Sequence, residues 1–293
     1  MKKNGLRAGN RKSLIFYILL MAVPTVQFVV FYICVNFNSF LLAFKDYETT
    51  DKYVFTLTKN FTTWFTGEYA SVIKSSFKMS LVAFAFQILI IMPLGVLFAY
   101  YIFKKHPLGG FFRVMLFLPS IVSALVVLKV YKEFLECSGL SWISKGSDAE
   151  TIFAVFLGNL LVSFGTSVLL YANKMATIAP EIIESAQLDG AFGFKEFIYI
   201  VFPMIYPTFS VFIITNVAGL FTNQLNNYVL FNGQGSTPTS TIGYFLFLRL
   251  ESTNSRVYLL PALSAFGLMI SAITIPLTFG VRKLATKFGP SED

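Results

Sequence analysis

The chain has 293 residues, of which 55% are hydrophobic and only 13% charged, whereas soluble domains carry about 25% charged residues. With a mean hydropathy of +0.68, this argues against a soluble domain and for an integral membrane protein. A net charge of +8 would suit nucleic acid, but the cations stand in short clusters at the ends of apolar runs, which is the pattern of membrane topology.

In chain order, residues 1–13 carry Lys2, Lys3, Arg7, Arg11 and Lys12 and no acid. Leu14–Val35 is the first expected span; its apolar run is longer than a signal-peptide core and lacks a small-residue cleavage site. Residues 36–76 are polar and of mixed charge. Phe77–Phe103 is the second span, followed by the basic turn Lys104-Lys105-His106-Pro107. Phe111–Val130, with Pro119 inside it, reads as the third span, and 132–150 as a polar loop. Ile152–Ala172 is the fourth, expected to be broken by Gly158 and Gly165. The stretch 177–207 follows. Thr208–Phe221 is the core of a fifth span that starts nearer Pro203. Residues 223–258 read as a polar loop, Leu259–Val281 as the sixth span, and Arg282, Lys283 and Lys287 close the chain. A helix needs about 20 apolar residues to cross a bilayer, so six helices fit. The runs are continuous rather than alternating, which excludes a transmembrane barrel. The expected organisation is a cytoplasmic arm at 1–13, a first helix with its extracytoplasmic loop at 14–76, a five-helix core at 77–281 and a cytoplasmic tail at 282–293.

Charge sets the expected orientation. With the N-terminus inside, the inner segments hold 13 Lys and Arg and the outer ones eight, while the acids divide as six inside and nine outside. The positive-inside rule favours this arrangement, which puts both termini and 177–207 in the cytoplasm. That stretch is anomalous for an inner loop. Lys174 and Lys195 face Glu181, Glu184, Asp189 and Glu196, so topology does not explain it and a protein partner would. Its local signals are definite. Pro180 suits the first turn of a helix, Glu181–Leu188 reads as two helical turns with Ile182 and Ala186 on one face, Asp189-Gly190 breaks them, and a second helix resumes near Phe194 and runs into Pro203.

Several chemistries are missing. The sequence contains no GxxxxGK[ST] phosphate loop, and no HExxH, CxxC or GxSxG pattern. Cys34 and Cys137 show no metal spacing, and His106 alone makes neither a metal site nor a triad. The spans as drawn contain no acid, whereas ion-coupled transporters carry buried Asp, Glu or His. Energy for active transport would therefore come from outside the chain.

Glu184-Ser185-Ala186-Gln187-Leu188-Asp189-Gly190-Ala191, followed by Phe197, Ile200, Pro203 and Pro207, resembles the EAA motif of permease subunits in binding-protein-dependent ABC importers. The departures are Ser185, where Ala is usual, and Phe202, where Leu is usual. The resemblance extends over nearly the whole chain and is to the carbohydrate-uptake type, in particular the maltose-type first subunit. It implies an all-α fold of six transmembrane helices, the type I importer permease fold, in a bacterial-type plasma membrane. The implied partners are a second homologous permease in a heterodimer, two ATPase subunits that use ATP and Mg, an extracellular solute-binding protein, a sugar substrate and the lipid membrane. No cofactor is implied for this chain, and no nucleic acid. Glu181, Glu184, Ser185, Ala186, Asp189, Gly190 and Ala191 would dock the ATPase, with Gly190 providing the tight turn. An amphipathic helix lying on the membrane is the plainer reading of this stretch, but its polar face lacks the Lys and Arg such helices use.

A sugar site requires hydroxyls, amides and flat apolar surface. Polar residues within spans prefer the bundle interior, although many serve only to join helices. Carried over from maltose-type permeases, the substrate contacts would be Ser163, Ser167, Thr215, Gly219, Thr222 and Asn223. A permease for glycerol-phosphate, a peptide or another polar solute, or a secondary transporter without an ATPase, are the alternative readings. A phosphate ligand would want Arg or Lys in the cavity.

Overall fold

A computed structural model describes residues 5–49, 52–66, 68–233, 237–252 and 259–289. The chain divides into two compact units, Met1–Phe65 with Thr253–Met269, and Thr66–Ser252 with Ile270–Asp293.

In the first unit, α1 (Gly5–Gln27), a π-helical stretch at Phe28–Cys34 and α2 (Val35–Leu42) run on as one helix. Its apolar part, Ser13–Leu42, spans 30 residues with none of its most apolar window buried. A helix that is apolar all round and uncovered suits a lipid environment, in which its backbone is satisfied internally. Beyond it, β1 (Lys45–Thr49) and β2 (Lys52–Phe55) pair antiparallel, with Lys45 opposite Phe55. A short helix α3 (Lys59–Thr62) and a 3₁₀ turn at Thr63–Phe65 follow. The loop expected at 36–76 is therefore partly built. Buried Asn60 donates to Ala43 O at 2.9 Å and Lys45 O at 2.7 Å, and Lys59 pairs with Asp46. Trp64, 2% exposed, donates through Nε1 to Ala262 O at 2.8 Å and packs on Phe266.

The second unit begins with α4 (Glu68–Phe86), a π turn at Gln87–Ile91 and α5 (Met92–Phe103); together they give a 35-residue apolar helix from Tyr69 to Phe103. The expected third span is not one helix. It is α6 (Gly109–Ile121) and α7 (Ala124–Cys137), bent by 100°. Pro119 removes a helical donor near the end of α6, Val122 is extended (φ −82°, ψ 146°), and Ser123 opens α7. Conversely, the fourth span is unbroken. α8 (Asp148–Met175) runs for 28 residues from a capping box in which Ser147 and Glu150 satisfy each other's backbone N–H groups. A glycine inside a helix costs only about 1 kcal/mol, less than freeing backbone groups in lipid. Gly158 and Gly165 are instead points of close approach. A Cβ on Gly165 would stand 1.6 Å from Leu116 O of α6, and one on Gly158 3.0 Å from the Tyr131 ring of α7.

The chain continues as α9 (Pro180–Leu188), α10 (Phe194–Glu196), a π turn at Phe197–Val201 and α11 (Phe202–Ala218). From Phe194 to Ala218 this is one 25-residue apolar helix, so the helix expected to run into Pro203 does not stop there. Phe202 N–H bonds back to Phe197 O, a wide turn that leaves room for the Pro203 ring, whose missing N–H already breaks the regular ladder. Residues 223–258, expected as a loop, contain α12 (Asn227–Phe231) and α13 (Ile242–Ser252), and α14 (Leu260–Phe288) ends the described chain, contributing to this unit from Ile270. Among the described residues, five helices are long and apolar enough to cross a membrane, or six if the bent pair counts as one span.

α8 is the axis of this unit and packs on α5, α6, α7 and α11. One apolar cluster gathers Leu128 and Tyr131 of α7, Val155 and Phe156 of α8, and Leu230 of α12. A second gathers Val96 and Ala99 of α5, Phe164, Val168 and Tyr171 of α8, and Val201 and Ile205 at the head of α11.

Candidate functional site

Two places collect the candidate residues. The first is α9 with the turn after it. Pro180 stands at the first turn and Ala179 before it is extended (φ −62°, ψ 131°), a geometry proline imposes on its predecessor. Glu181 lies in the first turn, where the helix dipole favours an acid. The inward face consists of Ile183, Ala186 and Gln187, whereas Ile182 is exposed, so the expected pairing of Ile182 with Ala186 on one face shifts by a residue. Glu181, Glu184, Ser185 and Asp189 are all exposed, and Leu188 is 90% exposed. A groove of about 620 Å³, lined by Lys105, Arg113, Asn173, Ile183, Glu184 and Gln187 among others, separates α9 from the ends of α5, α6 and α8. α9 is thus a short helix held on one side, with acids and a bare leucine on the other.

Its C-terminus is closed by a specific turn. Ala191 N–H bonds to Ala186 O at 2.9 Å and Gly190 N–H to Gln187 O at 3.0 Å, the two bonds of a Schellman motif. Gly190 has φ +81°, a conformation that costs an L-residue about 1–2 kcal/mol. Gly193 also has positive φ, at +58°, so the chain reverses over four residues and enters the long helix at Phe194.

One residue of this region departs from its expected role. Glu196 is 1% exposed and does not belong to the outward acidic face. Lys104 Nζ donates to both its oxygens at 2.9 and 3.0 Å, Gln187 Nε2 donates at 3.0 Å, and the Tyr100 hydroxyl lies 3.2 Å away. The spans therefore do carry an acid, at the base of the fifth, and it is paired with Lys104. Sequence reading missed this because Lys104 and Glu196 are 92 positions apart and either one alone looks like an ordinary loop charge.

The second place is a cavity of about 260 Å³. Thr215 of α11 and Gly219, Thr222 and Asn223 of the turns that follow it line it together with Asn216, Ser80, Gln87 and Thr241. Four of the six candidate substrate residues therefore share one wall. Ser163 and Ser167 do not line it; they lie along α8, where the Ser167 hydroxyl donates to Ser163 O at 3.3 Å. Ser80, Gln87 and Thr241 escaped the sequence reading because they come from α4, the π turn after it and the irregular segment just before α13.

Close approaches shape this cavity. A Cβ on Gly243 would stand 2.6 Å from Thr222 O, so glycine lets the start of α13 press against the chain leaving α11. Ile242 N–H donates to Ser80 Oγ at 3.0 Å, and the Thr241 hydroxyl to Asn223 O at 2.6 Å. Beneath it a polar lattice fixes the loop. Asn159 donates to Leu225 O and accepts from Asn226, while Asn227, fully buried, exchanges two hydrogen bonds with Thr239. These asparagines hold backbone, as buried amides do when fully paired. Nearby, Tyr228 donates to Glu251 at 3.0 Å, and that bond, then the carboxylate charge, raises the phenol above its ordinary range. Among the described residues lining the cavity none is ionisable, and no described cluster of three or more His, Cys, Asp or Glu is placed to hold a metal.

Comparison with known proteins places this architecture. Residues 91–290 match the model of the binding-protein-dependent transport system inner membrane component family, which covers most of the chain. A probable ABC transporter permease protein, YurN, of Bacillus subtilis is 23% identical over 92% of this chain and 95% of its own length. The probable starch degradation products transport system permease protein AmyD of Thermoanaerobacterium thermosulfurigenes is 25% identical over 75% of this chain and 76% of its own. A chain of a bacterial alginate ABC transporter, solved in complex with an alginate pentasaccharide-bound periplasmic protein, superposes with a TM-score of 0.74 at 17% identity, covering 97% of this chain and 98% of that one. The chain belongs to the binding-protein-dependent transport system inner membrane component family; it is a transport subunit of the membrane, not an enzyme.

Proposed function

We propose that this family member forms, with a second and similar permease, the translocation path for a neutral sugar or oligosaccharide delivered by an extracellular solute-binding protein. Two ATPase chains supply the energy from ATP and Mg, docking on α9 through Glu181, Glu184, Ser185, Asp189, Gly190 and Ala191, whereas Ala186, expected among the docking residues, is buried on the inner face and seats the helix instead. The observation that carries this is the outward acidic face of α9, outside the candidate spans and joined through a fixed turn to the helix of the fifth span. ATPases that close on ATP move α9, and the helix from Phe194 to Ala218 passes the displacement toward the cavity at its far end. Alternation between inward- and outward-facing states is then a population shift biased by ATP and by the loaded binding protein. Both termini and α9 lie in the cytoplasm on this reading, in accord with the positive-inside count.

The sugar assignment draws on relatives named for starch degradation products and alginate and on the cavity chemistry. Hydroxyls and amides beside Phe84 and Leu220 match the alternating OH groups and CH faces of a glycan. The described lining offers no cation, which speaks for a neutral glycan and against an acidic one or a phosphate ester. At about 260 Å³ the cavity lies just below the range of complete small-ligand sites, as one wall of a site shared by two permeases would. The test is uptake into liposomes carrying the purified assembly with its binding protein. A labelled neutral maltooligosaccharide is expected to accumulate only with ATP, and a uronate oligosaccharide not to compete. Uptake without any ATPase, or preference for the uronate, overturns the reading.

A further inference from the structure

The turn between α9 and the fifth-span helix poses a mechanical problem. Gly190 and Gly193 both adopt left-handed conformations within four residues, and glycine is the residue least able to resist rotation. By its backbone alone this turn would bend when α9 is pulled and little of the displacement would reach α11. The structure holds it by a side chain instead. Glu196, at the base of the long helix, receives Gln187 of α9 and Lys104 at the end of α5, and Tyr100 of α5 stands against both Glu196 Oε1 and, at 2.9 Å, Gly193 O inside the turn. The Tyr100 ring also packs on Phe197, 5.0 Å between centroids. Two segments, α9 and α5, converge on one carboxylate of a third, and charge-assisted hydrogen bonds of this kind are the strong ones.

We propose that Glu196 is a positioning residue whose carboxylate, held by Lys104, Gln187 and Tyr100, stiffens the glycine turn so that motion of α9 is transmitted to the fifth span and to α5 together. This rests on the reading that α9 docks the ATPase, and it adds where the force goes. α5 forms the cytoplasmic half of the helix whose upper part supplies Ser80 and Gln87 to the cavity, and α11 supplies Thr215 and Asn216. One carboxylate thus ties the docking helix to both cavity-lining helices.

The test uses the complete assembly of both permeases, ATPases and binding protein in liposomes. It measures ATPase chains retained, basal ATP hydrolysis and solute taken up per ATP. E196Q is expected to retain the ATPases and basal hydrolysis while uptake per ATP falls about tenfold, within the range of measured coupling between sites. The charge-exchanged pair K104E/E196K is expected to recover most of that loss, which a merely space-filling role for Glu196 would not allow. If E196Q does not reach the membrane, the double variant Y100F/Q187M removes two donors without stranding a charge, and uptake per ATP should fall about fivefold or more, the scale of two net hydrogen bonds. Uptake per ATP unchanged in either variant overturns the proposal. So does loss of the ATPases from a well-folded E196Q, since Glu196 would then serve docking rather than transmission. Failure of the unaltered chain to recover any ATPase refutes the docking reading instead.

Discussion

Replacing Gly165 by alanine tests the packing on which this architecture depends. The new methyl would stand 1.6 Å from Leu116 O, so α6 must retreat by about 1.8 Å to reach an ordinary contact of 3.4 Å. The obstacle is backbone, which cannot rotate aside as a side chain can. Overpacking of this kind costs about 1–3 kcal/mol, and the upper end applies here. Alanine returns about 1 kcal/mol in helix propensity, which leaves a net loss of about 2 kcal/mol. For a chain of this size that corresponds to roughly 4–8 °C in Tm. Thermal unfolding in detergent, followed by the fluorescence of Trp64 and Trp142, reads the change. Gly280 is the control, because it lies within α14 and a Cβ there meets nothing within 4 Å, so G280A should gain about 1 kcal/mol in helix propensity and melt no lower than the parent. If G165A melts no lower than the parent either, the close crossing of α6 and α8 is wrong.

Other outcomes follow from single features. G190V forces a branched side chain to φ +81°, so it should cost about 1–2 kcal/mol and lower uptake per ATP; unchanged coupling in transport assays contradicts the turn's role. Q87L and T215V remove polar atoms from the cavity wall and should each weaken sugar uptake about fivefold or more, the scale of a lost hydrogen bond, while basal ATP hydrolysis stays constant; equal losses of hydrolysis would mean damage to the fold. N227A strands the Thr239 hydroxyl and carbonyl in a buried setting, which should cost about 1–3 kcal/mol, visible as a lower melting temperature.

Much of this molecule is legible in its sequence where the signal is local. The apolar runs mark the spans, and Pro180 and Asp189-Gly190 bracket α9 almost to the residue because each acts on its own backbone. Reading failed where a residue's meaning depends on a distant neighbour. Gly158 and Gly165 look like breaks in isolation, yet α8 continues through them because Tyr131 and Leu116 need the space. Pro119 looks tolerable within a span, but with Val122 and Ser123 extended it turns the chain by 100°. The loop expected at 223–258 conceals two helices because its asparagines pair with Asn159 and Thr239 rather than with water. Glu196 counted as one more loop acid until Lys104 came beside it. Thr215, Gly219, Thr222 and Asn223, named through family resemblance, line one cavity, while Ser80, Gln87 and Thr241 join them only once α4 and the approach to α13 are folded against them.

If α9 receives the work of ATP hydrolysis through its acidic face, as proposed above, a charge reversal at Glu184 must break the coupling. In the reconstituted assembly, E184K leaves an exposed position exposed, so the chain should insert and fold as before. Labelled-sugar uptake per ATP hydrolysed is the measurement. E184K is expected to lose coupled uptake by about tenfold or more with the permease present in normal amount. Coupled uptake equal to that of the parent would contradict it.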